Sequence, residues 1–131
     1  MKKLGISYVI ILIVASLFLG EVGNFYERYG WWDLVLHFSS SLAVGIASFT
    51  LISSLIKGIE LKLLFLISFS IAIMLGTMWE LLEFTLDQLF EMNTQKSGIV
   101  DTMTDVIANV FGVLSGITII NFMNKRKNKN V

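Results

Sequence analysis

Apolar residues run along this chain in four long blocks, at residues 4–20, 33–56, 61–90 and 104–123. A helix needs about 20 apolar residues to cross the hydrocarbon of a bilayer. Runs this long do not suit strands, and the polar residues that break them recur at helical spacing. The pattern predicts an all-α, integral membrane four-helix bundle. No linker or tandem repeat divides the chain, so one transmembrane domain is expected over residues 1–131. The opening MKKLGISYVIILIVASLFLG has the basic start and apolar stretch of a signal peptide. Its apolar part is long, however, and GEVGNFYERYGWW follows without a clear small-residue cleavage site, so a retained first helix is expected.

Composition agrees with the blocks. The chain is 55% hydrophobic and 15% charged, with a mean hydropathy of +0.76. A soluble domain of 131 residues could not hide that much apolar surface. There is no cysteine, which excludes disulfides, thiolate metal sites and thiol nucleophiles. There is no proline either, so no proline kink is required.

The formal net charge is zero, but its distribution is uneven. Lys2, Lys3, Lys57, Lys62, Lys125, Arg126, Lys127 and Lys129 fall at one set of block ends, and only Arg28 and Lys96 at the other. The positive-inside rule then makes both the N-terminus and the C-terminus cytoplasmic, with four crossings. The closing KRKNKNV reads as a topology anchor that also attracts anionic lipid, and it offers no surface for nucleic acid. Acids sort the opposite way. Glu60 alone lies on the cytoplasmic side, whereas Glu21, Glu27, Asp33, Glu80, Glu83, Asp87, Glu91, Asp101 and Asp105 belong to the outer half. Acids contribute little to topology, so this pooling needs another cause.

Helical spacing says where these acids point. Glu80 lies about 27 Å along a helix that begins near Lys62, at the outer edge of a hydrocarbon core about 30 Å thick. Glu80, Glu83 and Asp87 are spaced i, i+3, i+7 on one face, with Glu91 in the loop beyond. Asp33 and His37 share a face of the second block, and Asp101, Asp105 and Asn109 share a face of the fourth. Trp79, Trp31, Trp32, Tyr26 and Tyr29 fit an interfacial aromatic belt. Ala108, Gly112 and Gly116 form a small-residue ladder for close helix packing, and Ser41 and Gly45 make a weaker notch on the second block. Lipid solvates none of the polar stripes, so they should face one another or a wet cavity.

Crowded carboxylates in such a place must hold protons, take a cation, or be neutralised by Arg28, Lys96 and His37. Two bases and one imidazole are few for nine acids, which favours a bound divalent cation: Mg²⁺, Mn²⁺, Ca²⁺ or Zn²⁺. Plainer roles compete. Asp33 and Asp101 could be N-caps, Asp105 a first-turn partner of the helix dipole, and His37 simply a partner of Asp33. Glu21 and Glu27 read as loop charges. Glu80 and Glu83 have the weakest plain reading, being mid-helix with no base at i±4.

The ordered stretches DLVLHF, GTMWELLEF and DVIANVFGVLSG resemble the VanZ-like membrane proteins, over Asp33 to Gly116. Asp33, His37, Glu80, Asp105, Ala108, Asn109 and Gly112 match that family's motifs. Glu83 stands where the family has Gln, and Ile99 lies near the place of its usual Arg. WELLEF and DTMTD are more similar to YjdF-like uncharacterised bacterial inner-membrane proteins. The resemblance implies a multi-pass protein of the bacterial plasma membrane in a cell-envelope context, with VanZ-like proteins associated with glycopeptide-antibiotic resistance. It implies no established reaction.

Together these readings predict an outward-facing acidic and histidine site that binds a divalent cation and a phosphate-bearing envelope lipid. The expected metal ligands are Asp33, His37, Glu80, Asp101 and Asp105, with Asn109 and Asp87 as further motif residues. Enzyme and binding module both stay open. As an enzyme it would perform metal-assisted hydrolysis or transfer, with His37 or Glu83 as base. Its rivals are an ion or proton path, and a non-catalytic envelope module, with homo-oligomers formed through unused small-residue faces.

Overall fold

A computed structural model describes residues 22–91 and 98–129 (without the side chains of 127–129), together with Ile11, Val14, Phe18 and Leu19. Apart from those four residues, the block expected at 4–20 as a first span lies outside the described residues, as do the loop charge Glu21 and the base Lys96. Among the described residues all regular structure is helical. A short α1 (Phe25–Arg28) precedes three long helices, α2 (Trp32–Leu55), α3 (Leu61–Phe90) and α4 (Ile99–Lys129). Each of the three is long and apolar enough to cross a membrane, with mean hydropathies of 1.7, 2.1 and 1.9 over an 18-residue stretch of each.

Local chemistry sets the helix ends. α2 ends at Ile56 in an extended conformation, and the chain turns through Gly58 at φ 74°, a left-handed value suited to glycine. α3 closes at Glu91, itself left-handed at φ 53°, whose N–H donates to the Asp87 carbonyl. α4 extends beyond the predicted 104–123 at both ends. Polar residues such as those of DTMT and NKRKNK continue a helix past the hydrocarbon, because the backbone ladder needs no apolar side chains.

α2 packs most extensively against α4, while α3 lies less extensively against both. The α2–α4 seam is made of glycines. A Cβ on Gly112 would collide with the Phe38 carbonyl oxygen, and one on Gly116 with that of Leu42. In return, a Cβ on Gly45 would come within 2.8 Å of the Val113 carbonyl oxygen. The two helices run parallel, backbone against backbone, and α3 runs against them. Between lipid-facing helices there is little hydrophobic drive, so this close van der Waals contact carries much of the association. The outward faces are apolar: Leu51, Leu63, Met74, Met78, Leu82 and Phe111 are all exposed. Phe49, Ile52, Leu64, Val113, Ile117 and Ile120 fill the interior at the end away from His37.

Replacing Gly112 or Gly116 by Val should pry α2 from α4 and destabilise the bundle by about 1–3 kcal/mol. Gly30→Ala, where a Cβ meets nothing within 4 Å, should leave stability unchanged. Thermal unfolding of the three variants in detergent checks this.

Candidate functional site

Three helices deliver polar side chains to one level of the bundle. On α2 the buried positions His37, Ser41 and Gly45 repeat every four residues, below Asp33 in the first turn. On α3 the buried face is Leu64, Ser68, Ala72 and Glu80, the same period with Gly76 filling the missing step. On α4 it includes Asp105 and Asn109. These rows meet because α3 runs against α2, which sets Glu80 opposite His37, and because the glycine seam holds α4 in register beside α2.

His37 is the hub. Its Nδ1 lies 3.2 Å from Glu80 Oε1. Its Nε2 lies 3.7 Å from Asp33 Oδ1 and 4.0 Å from Asp105 Oδ2. His37, Glu80 and Asp105 are buried, and Asp33 is half-buried. Ligand atoms of Asp33, His37 and Asp105 lie within 4.8 Å of one another, as do those of His37, Glu80 and Glu83. The imidazole is common to both groups, so it can ligate on one side while a carboxylate orients the other nitrogen. One turn below, the Ser41 hydroxyl donates to Asn109 Oδ1 at 2.6 Å. The Trp79 indole N–H donates to Glu83 Oε1 at 2.7 Å, steering that carboxylate.

A cleft of about 460 Å³ opens beside the hub, between α2 and α3. Tyr26, Asp33, His37, Trp79 and Glu83 line one end, Ser40, Ser41 and Asn109 the middle, and Val44, Ala72 and Leu75 the apolar remainder.

The expected ligands divide. Asp33, His37, Glu80 and Asp105 come together, and Glu83 joins them from the cleft side. Asp101, an expected ligand, and Asp87, expected only as a motif residue, fall outside both groups. Asp101 sits in the first turn of α4, about 6 Å of rise from Asp105, too far up the helix for the His37 level. Asp87 is two turns past Glu80 toward the end of α3. Asp33 is not the N-cap of α2: that position is Trp31, and Asp33 lies in the first turn, where its charge still suits the dipole. Ser41, read as a packing notch, is a hydrogen-bond donor. Its spacing of four from His37 was the available signal. Gly76 was not singled out, yet a Cβ there would press on Asn109 Nδ2 at 3.1 Å.

Residues 3–126 match the model of a family described as a predicted membrane protein, DUF2238. The chain belongs to that family. An uncharacterized protein of Thermotoga maritima is 32% identical over 108 residues, 78% of this chain and 56% of that protein. The chain thus spans little more than half of that relative's length. No solved structure matches. Family and helices agree on a multi-pass membrane protein.

In a double-mutant cycle, Ser41→Ala and Asn109→Ala should show a coupling of about 0.6 kcal/mol, the mean for polar pairs in a membrane bundle, and no more than about 1.7. Unfolding measurements on the four proteins of the cycle test it. Strictly additive losses would mean the bond contributes nothing.

Proposed function

We propose that this protein holds a divalent cation at His37 and uses it to bind, or act on, a phosphate-bearing lipid of the bacterial envelope. The observation behind this reading is the gathering of carboxylates from three helices around one buried imidazole. Asp33, His37 and Asp105 offer one set of ligand atoms, and His37, Glu80 and Glu83 another. Oxygen-rich sites with a single nitrogen suit Mg²⁺, Mn²⁺, Ca²⁺ or Zn²⁺. A phosphate would reach these acids only with a cation between, because like charges repel.

The distribution of lysine and arginine supports an outward-facing site with both termini cytoplasmic, and the plasma membrane as its location. The VanZ-like and YjdF-like similarity of DLVLHF, GTMWELLEF and DVIANVFGVLSG supports an envelope role. If the lipid is turned over, a metal-assisted hydrolysis or transfer fits. His37 or Glu83 would then serve as base, and Glu83 is already aimed by Trp79. A path through the membrane has less support, since Phe49, Ile52, Leu64, Ile117 and Ile120 pack the other half. The buried hydroxyls of Ser48 and Ser68 among them fall short of a continuous relay.

Purified protein should carry metal by elemental analysis, and metal-free protein should gain thermal stability from at least one of the four cations. At a cation concentration 100 times Kd the gain is about 2.7 kcal/mol. His37→Ala and Asp33→Asn should abolish both signals. Wild-type protein that holds no metal and is not stabilised by any of these ions overturns the cation site.

A further inference from the structure

The cleft is amphipathic along its length. Asp33, Glu83, Tyr26 and Trp79 line one end, while Val44 and Leu75 line the apolar wall. Its volume of about 460 Å³ falls within the range of roughly 300–1,000 Å³ typical of small-ligand pockets. Leu75 and Trp79 are 47% and 54% exposed, so the wall they form also belongs to the lipid-facing surface of α3. A molecule moving within the bilayer reaches the cleft sideways, and only an amphiphile satisfies both of its ends.

The polar end also selects charge. Among the described residues, no lysine or arginine lines the cleft, while its polar end carries two carboxylates and the His37 imidazole that they flank, beside an indole and a phenol ring. Carboxylates with aromatic faces are the chemistry that recognises an ammonium group, by ion pairing and by attraction to the ring quadrupole. We infer that the cleft binds one amine-bearing lipid, its primary ammonium group between Asp33, Glu83 and the Trp79 and Tyr26 rings, its chain along Val44 and Leu75. This rests on the proposed function for the presence of a lipid at the site, and it adds the headgroup.

The test is native mass spectrometry of the full chain released from nanodiscs holding equal parts of phosphatidylethanolamine, phosphatidylcholine and phosphatidylglycerol, with Mn²⁺ or with EDTA. The expected result is one retained phosphatidylethanolamine, enriched about three- to tenfold over phosphatidylglycerol, the scale of a single ammonium–aromatic contact. The preference should persist in EDTA. Asp33→Asn and Trp79→Leu should each erase it, Asp33→Glu should keep it, and Val44→Phe should reduce retention of every lipid. Retention without headgroup preference, or of phosphatidylglycerol only with Mn²⁺, overturns the amine inference and leaves the proposed function standing. Retention of no lipid by wild-type protein overturns the amine inference together with the lipid part of the proposed function. Elemental analysis reads the cation site separately.

Discussion

The polar site depends on how closely α2 and α4 approach. Gly112 and Gly116 lie against the carbonyls of Phe38 and Leu42, and Gly45 against that of Val113, so no side chain separates the two backbones. Only at that separation does Ser41 reach Asn109 at 2.6 Å, and only then do Asp33 and Asp105 flank the same imidazole nitrogen. The seam is short of hydrophobic drive, since lipid tails are as apolar as the side chains they would replace. Close packing and the polar pairs above it therefore share the work of holding the helices in register.

The cost of placing acids inside a membrane shapes the rest. Glu80 has both carboxylate oxygens shut off from solvent, and its contact with His37 ties α3 to the α2–α4 pair. α3 is the most lipid-exposed of the three, with 17% of its apolar stretch buried against 33% for each of the others. It is thus the wall that leaves space, and the cleft opens along it. A tight pair and a looser third helix give a site that is fixed in geometry and open along α3, the arrangement on which the proposed binding of a cation and a lipid rests.

Much of this was legible in the chain. The blocks at 33–56 and 61–90 correspond to α2 and α3 within a residue, because a run of apolar residues of spanning length has few alternatives to helix. The stripes Asp33–His37, Glu80–Glu83 and Asp105–Asn109 were readable from spacing, as was the glycine ladder on α4. Spacing could not rank the acids within a stripe. Asp101 and Asp105 share a helical face, and so do Glu80 and Asp87. Which of each pair reaches His37 depends on where the helices cross, and that is set by the glycine contacts and not by periodicity.

The sequence by itself therefore determined the solvent, the helices and the faces on which polar groups must lie, since lipid tolerates neither unpaired backbone nor scattered charge. Only tertiary structure decided the register: which turn of α3 stands opposite His37, why Ser41 donates a hydrogen bond, and that space remains beside Trp79 and Val44. Those outcomes follow from distances between helices, and a one-dimensional pattern holds no information on how near two backbones come until the residue at each contact is known.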